Sequence, residues 1–250
     1  MKLFSSEVAH DYKTYTFAYA QYAQKEPGDS LTSIYGSGFL PYSGSKDSKN
    51  IFYMARSARV VLPYFEMTSE NRRIAKKFDG AFRKERVPFD EFRVTEEFLM
   101  FCLAYFAQKH GSSAMPRERL EHILKGGLIS NTMIYHSDDK PVAYVLEVAD
   151  NTMGHYWFSF YDLSLARQSL GLWLMQDCVR DAKERGEKYY YLGTVYGEKA
   201  LYKTNFDPLE WWDGAAWNAD IKLLKERERS DSERVASVMD EWKKNKILYG

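Results

Sequence analysis

Cysteine is scarce: the 250 residues include two, Cys102 and Cys178, each in an apolar periodic stretch and neither in a CxxC or Cys/His set at metal-ligand spacing. Two buried free thiols and no metal are the expectation. Net charge is lacking as well, because 35 basic residues balance 35 acidic ones. The molecule as a whole therefore offers no field to draw in a polyanion, and any nucleic-acid contact rests on a local patch. No apolar run is long enough to span a bilayer, and the opening MKLFSSEVAHDYK lacks an apolar core of signal-peptide length. These absences predict a cytoplasmic protein with no membrane partner. The histidines His10, His110, His122, His136 and His155 show no HExxH or other metal spacing, and no G-x-S-x-G elbow or P-loop occurs. Hydrolase and NTPase chemistry is left without support.

What is present is apolar and aromatic. Hydrophobic residues make up 45% of the chain and aromatics 16%, with 19 tyrosines, enough for a well-filled core in one large domain or two small ones. Residues 1 to about 30 read as a mixed amphipathic opening. SIYGSGFLPYSGSKDSKN follows, where Gly, Ser and Pro mark turns and a loop. IFYMARSARVVLPYFEM suits one or two short strands with Pro63 at an edge or end. VTEEFLMFCLAYFAQKHG carries Phe98, Phe101, Cys102, Tyr105 and Phe106 at helical spacing and stops at Gly111.

From Pro116 the order is helix (RERLEHILKGG), strand (NTMIYHS), turn, long strand (PVAYVLEVA), turn, strand (HYWFSFYD). Then comes SLGLWLMQDCVRDAKERG, a helix with Leu170, Trp173, Leu174 and Cys178 on one face, and the strand KYYYLGTVY. An antiparallel meander followed by a strand–helix–strand crossover is the order of an acetyltransferase-like (GNAT) fold. The fold class expected is α+β: an N-terminal mixed α/β region over 1–115, a GNAT-like transferase domain over 116–217, and a charged helical extension over 218–250.

Three segments can carry chemistry. FYDLSLARQSLGLW runs from a strand through a turn into a helix N-terminus. In acetyltransferases such a turn holds the cofactor pyrophosphate with a Q/R-x-x-G-x-G/A pattern. Gln168 and Gly171 fit it, but Trp173 stands at the last small position, where a bulky indole is expected to obstruct close approach to the backbone. Ser169 as a plain N-cap beside a packing glycine accounts for the same residues. The second segment, YYLGTVYGEKALYKTNFDPLE, is a buried strand ending at Gly193 and then a loop with Tyr202, Lys203 and Phe206. On residue types alone this is core plus a solvated lysine. The third is a basic run, Arg72, Arg73, Lys76, Lys77, Arg83, Lys84 and Arg86, of which residues 72, 73, 76 and 77 share a helical face. By itself that face reads as solvated.

The order FYD, SLG, YLG, KxLYKxxF and PLE across Tyr156 to Glu210 resembles the C-terminal domain of arginyl-tRNA–protein transferases and their bacterial leucyl counterparts. GFLPYSG, VVLP and SENRRIAKK resemble the N-terminal half of the same family, so the likeness runs from about Gly38 to Trp217. It implies an aminoacyltransferase that moves arginine or leucine from aminoacyl-tRNA to the α-amine of proteins beginning with Asp or Glu, marking them for degradation (the N-degron pathway). Aminoacyl-tRNA is then the co-substrate, and no cofactor is needed. The tyrosine–lysine pair of the family falls on Tyr202 and Lys203, and other motif positions on Asp162, Ser169, Leu170, Gly171, Tyr191, Leu192 and Gly193. The implied catalytic set is Tyr202, Lys203, Asp162 and Tyr191: Lys203 meeting the acidic acceptor or developing charge, a tyrosine donating to the oxyanion, Asp162 orienting or deprotonating the ammonium. Ser169, Leu170, Gly171, Gly193 and Phe206 would line the substrate groove, and Arg72, Arg73, Lys76 and Lys77 would meet tRNA phosphates. Two features depart from the family. Its cysteine cluster before the VxxP-like strand is replaced by FYMARSARVVLP, and its YW step after YLG by Thr194-Val195. Three other functions share parts of this pattern: an acetyl-CoA N-acetyltransferase, a FemX-type tRNA-dependent cell-wall transferase, and a non-catalytic binding module.

Overall fold

The computed structural model describes residues 1–11, 16–44, 49–231 and 233, and their side chains apart from those of 7–18 and 166–168. Two sheets organise the chain. The smaller has the order β1-β2-β4-β3, from β1 (Lys2–Asp11), β2 (Thr16–Gln24), β3 (Phe39–Pro41) and β4 (Ile51–Met54). The short helix α1 (Leu31–Gly36) lies between β2 and β3, its first turn capped by Ser30.

The larger sheet has eight strands in the order β12-β11-β5-β10-β9-β8-β7-β6. They are β5 (Ser57–Val61), β6 (Arg83–Pro88), β7 (Asn131–Ser137), β8 (Lys140–Ala149), β9 (Met153–Tyr161), β10 (Tyr189–Thr194), β11 (Leu209–Trp212) and β12 (Trp217–Asn218). β7, β8 and β9 form the expected antiparallel meander, and α5 (Leu170–Glu184) carries the chain across to β10, which runs parallel to β9. The α+β architecture read from the sequence is the one observed. β5 and β6 come from the stretch expected as a separate region over 1–115, so the ladder runs continuously across position 115/116.

Helices cover both faces of this sheet. On one lie α5 and α2 (Ser69–Phe78), joined by Phe78 against Trp173 at 5.6 Å and by Gln176 Nε2 donating to the Asn71 carbonyl at 3.0 Å. On the other lies α3 (Glu96–His110), whose Phe98 meets Tyr144 at 4.9 Å. α4 (Arg117–Lys125) packs beside α3. Local chemistry explains the helix starts. Thr68 and Asn71 form a reciprocal capping box at α2, and Thr95 caps α3, with Glu96 and Glu97 in its first turn and Lys109 and His110 in its last, matching the helix dipole.

α2 ends at Phe78, and Arg83, Lys84 and Arg86 belong to the edge strand β6. The basic run is thus split over two elements because Gly80, at φ +82°, breaks the helix. Residues 221–231 are helical. Most of the expected extension over 218–250 lies outside the described residues. Both cysteines are buried and free. No helix among the described residues is long and apolar enough to cross a membrane.

A candidate active site where two parallel strands part

β9 and β10 are the parallel neighbours of the large sheet, and they pair only over Tyr189↔Met153, Tyr190↔Gly154 and Tyr191↔His155. Gly193, at φ +81°, and a register shift against β5 between Tyr191 and Gly193 then carry β10 off its course. β9 continues alone to Tyr161. It carries its own irregularity: the pairing with β8 steps from Phe158↔Leu146 to Tyr156↔Glu147, leaving Trp157 as an extra residue. The bulge reverses the alternation. Tyr156, Ser159 and Tyr161 now point to the α5 face, and His155 and Phe158 to the other.

On the α5 face the parting leaves a cleft of about 320 Å³, lined by Lys109, Tyr156, Ser159, Tyr161, Ser169, Gly171, Leu172 and Tyr202. Ser169 opens α5 in the left-handed region at φ 73°, without a side-chain cap, and no acidic residue occupies the first turn. A Cβ on Gly171 would stand 2.6 Å from Tyr161 Oη, so the phenol lies in this position only because the residue is glycine. Lys109, in the last turn of α3, donates to Tyr105 Oη at 2.8 Å and to Tyr161 Oη at 2.5 Å. Tyr156 is 7% exposed, and its hydroxyl has no well-formed hydrogen bond among the described residues, with Ser159 as its neighbour.

On the opposite face a cavity of about 190 Å³ is bounded by Leu40, Pro41, Ser43 and Tyr53 of the small-sheet region and by His155, Trp157, Phe158, Gly193 and Thr194. Lys203 lines neither, but its neighbour Tyr202 borders the cleft and its partner Thr194 the cavity. It is 8% exposed, and its Nζ donates to the Thr194 carbonyl at 2.6 Å, 5.9 Å from the Tyr202 ring. A Cβ on Gly193 would lie 3.7 Å from both Lys203 Nζ and His155 Nε2, so the space this glycine leaves open is flanked by two nitrogens. Among the described residues no carboxylate pairs with Lys203. Burial alone lowers its ammonium from the ordinary 10.5 to about 8. Burial, reinforced by Lys203, lowers His155 to about 3, so the imidazole is neutral; its Nδ1 shares a 2.9 Å hydrogen bond with Tyr35 Oη.

The parting strands therefore bring together Tyr202, Ser169 and Gly171 at the cleft, with Lys203 and Gly193 just beneath. Four expected residues lie elsewhere. Asp162 starts the 3-10 turn Leu163–Gln168, accepting from Ser164 N at 2.9 Å and Ser164 Oγ at 2.7 Å, and borders a different hollow. These bonds, side chain first, hold its carboxyl below the usual range. Tyr191 is buried on the far face, its hydroxyl accepting from Arg59 at 3.3 Å. Leu170 and Phe206 are both 1% exposed and belong to the core, Phe206 lying tilted against Phe65 at 6.2 Å.

Trp173 also corrects an expectation. One turn into α5 the chain faces the core, so the indole is 4% exposed, donates to Asp79 at 2.9 Å and packs on Phe78 and Phe82, turned away from the helix N-terminus. The side chain of Gln168 lies outside the described residues. On α2, Arg72, Arg73, Lys76 and Lys77 are exposed, with Arg73 tied to Glu70 and Arg72 to the Met67 carbonyl. The remaining basic residues are engaged: Arg83 with Glu85, Lys84 with Asp177 and Asp181, Arg86 with Glu147.

Sequence reasoning passed over Lys109, Tyr156, Ser159, Tyr161 and His155. Lys109 looked like a helix-ending cation, and the bulge at Trp157 hides the face that Tyr156 shares with Ser159 and Tyr161.

The family of the acetyltransferase (GNAT) domain matches residues 72–204. An aspartate/glutamate leucyltransferase of Cereibacter sphaeroides is 27% identical over 201 residues, covering 72% of this chain and 70% of that one. One of Ruegeria pomeroyi is 27% identical over 212 residues, 76% of each. Among solved structures, L-PGS from Bacillus licheniformis superposes with a TM-score of 0.44 at 15% identity, covering 56% of this chain and 46% of that one.

Proposed function

Since the chain belongs to the acetyltransferase (GNAT) domain family and is a relative of the aminoacyl-tRNA–protein transferases, we propose that it moves leucine from leucyl-tRNA onto the α-amine of proteins beginning with Asp or Glu. The observation that carries this is Lys203, a buried cation without an anionic partner among the described residues, whose chain neighbour Tyr202 lines the cleft and whose hydrogen-bond partner Thr194 lines the cavity on the opposite face. Removing an ammonium from water without a counter-ion is costly. An acidic side chain entering the cavity beside His155 and Gly193 supplies the missing charge, while the donor ester occupies the cleft on the α5 side.

The chemistry needs little more than this. The donor is an activated ester, and an α-amine with a pKa of roughly 7.7 to 8 is partly nucleophilic at neutral pH. The amine nitrogen bonds to the ester carbonyl carbon, the tetrahedral oxyanion collapses, and the ribose oxygen leaves with the proton the amine gives up. Oriented proximity accounts for as much as about 7 to 11 kcal/mol of such a barrier. Tyr202, at the rim of the cleft, donates to the oxyanion. No cofactor takes part, and the substrates place the reaction in the cytoplasm. The exposed basic residues of α2, on the α5 side of the sheet, meet tRNA phosphates.

Acetyl-CoA fits the cleft less well. The phenol of Tyr161 already lies against Gly171, where a pyrophosphate would approach the first turn of α5.

The test is incubation with a pool of labelled charged tRNAs, arginyl and leucyl included, and peptides beginning with Asp, Glu or Ala. Leucine reaching the Asp and Glu peptides is the expected result; label on no peptide would sink the proposal, and arginine label would move the donor.

A further inference from the structure

The cleft on the α5 face carries a cation and several hydroxyls and, among the described residues, no carboxylate. None of its lining residues is an Asp or Glu. Lys109 makes no ion pair among the described residues; its Nζ is held by two phenol oxygens and stands 5.1 Å and 4.7 Å from the centres of the Tyr105 and Tyr161 rings. A phenol that accepts from an ammonium keeps its own proton, polarised for donation outward. Tyr156, more than nine-tenths buried in the same wall, has a hydroxyl with no well-formed hydrogen bond among the described residues and with the Ser159 hydroxyl as its neighbour, so its proton is free to be donated into the cleft. The hydroxyls of Ser159 and Ser169 complete the lining. One cation, several hydroxyls and no carboxylate suit an anion with several acceptor oxygens.

We propose that Lys109, Tyr161 and Tyr156 form a subsite for a single phosphate group, the 5′-phosphate of the terminal nucleotide of the RNA donor. The inference rests on the aminoacyl-tRNA reading for the source of the phosphate, and on the cleft alone for its chemistry. Because Tyr161 covers Gly171, the phosphate is met by side chains and not by a backbone cradle, which favours one phosphate over a pyrophosphate. The subsite fixes the terminal nucleotide, so that the ester at its ribose faces Tyr202 and the cavity beyond.

Two minimal donors separate the effects: 3′-O-leucyl-adenosine with and without a 5′-phosphate, each given to the full chain with a peptide beginning with Asp. A charge-assisted hydrogen bond is worth about 1.5–3 kcal/mol, so the wild type is expected to prefer the phosphorylated donor by roughly ten- to a hundredfold in kcat/KM. Lys109→Met should bring that ratio to within about threefold, the ratio being read apart from any loss common to both donors, and Lys109→Arg should restore most of it. Tyr156→Phe, which deletes a hydroxyl and keeps the ring, should lower the ratio several-fold. A wild-type ratio near one, or an equal loss on both donors in Lys109→Met, overturns the proposal.

Calorimetric binding of adenosine 5′-monophosphate against adenosine reads the subsite without turnover. Tighter binding of the monophosphate that Lys109→Met abolishes supports it even if leucine transfer fails. Acetyl-coenzyme A that competes for the same site and gives its acetyl group to the peptide amine, releasing coenzyme A, assigns the phosphate to another source and overturns it.

Discussion

Glu147 and Lys203 are both buried charges beside β10, and they are held in opposite ways. Glu147, 0% exposed, accepts from Arg86 at 3.1 Å, Arg185 at 3.2 Å, Tyr190 at 3.1 Å and Asn131 at 3.2 Å. Arg185 is shared onward with Glu187 and Asp181. Lys203 has one carbonyl. A charge whose shell is complete ties strands together: here the network joins β6, β7, β8 and β10 with the end of α5. A charge whose shell is incomplete destabilises the free protein and is repaid when an anion arrives.

The largest effect is expected at the complete shell. Glu147→Ala leaves Arg86 and Arg185 facing a buried void and should cost about 3–5 kcal/mol, read as a fall in the urea midpoint at unchanged slope. A loss below 1 kcal/mol would show that the network contributes no more than a surface pair.

Lys203→Met is the counterpart. Removing an unpaired cation should not destabilise the fold, while kcat/KM for a peptide beginning with Asp should fall on the order of a hundredfold. Stability against pH sharpens the contrast. A lysine lowered to about 8 binds its proton less tightly when folded than when unfolded. The penalty is therefore fully present below pH 8 and is relieved as pH rises from about 8 towards 10.5. Wild-type stability should rise by roughly 3 kcal/mol relative to Lys203→Met across that window. Parallel pH curves would remove Lys203 as a buried charge.

A smaller effect is expected at Gly171→Ala. The new Cβ meets Tyr161 Oη and must push the phenol out of the cleft, so transfer should drop about tenfold through mispositioning. Stability should change by less than about 1 kcal/mol, since alanine favours the helix. Unchanged transfer would show that the position of Tyr161 does not matter to the reaction.

Most of the fold was legible. The meander, α5 and β10 followed from alternation, helical spacing and glycine stops, because those elements are decided locally. The tyrosine–lysine pair was legible as a family motif. What was not legible depended on pairing between distant strands. A bulge adds one residue and swaps faces, and no local pattern announces that Trp157 is the residue added. Strictly alternating, HYWFSFY groups Tyr156 with Phe158 and Phe160; in the fold Tyr156 joins Ser159 and Tyr161 instead. Lys109 was missed because, although Tyr105 lies one helical turn back, the contact that brings it to the cleft is with Tyr161, 52 positions away. Tyr191 shows the reverse: the resemblance implied a catalytic role for it, but its side chain points into the core cluster formed with Tyr35 and Phe52.

The smallest effect is expected at Asp162, and it discriminates most cleanly between motif and geometry. The carboxylate accepts two hydrogen bonds from Ser164, which stabilise its ionised form and make it a poor base. Asn at this position keeps an oxygen that accepts both bonds but cannot take up a proton. If Asp162 only holds the turn after β9, Asp162→Asn should leave transfer within about threefold, and Asp162→Ala should cost about 1 kcal/mol of stability, the scale of a lost cap. If Asp162 removes the proton from the attacking ammonium, Asp162→Asn should lower kcat by a hundredfold or more and change its pH profile. A loss of that size in the Asn variant alone would mean that the 3-10 turn Leu163–Gln168 moves to bring Asp162 to the cleft during turnover.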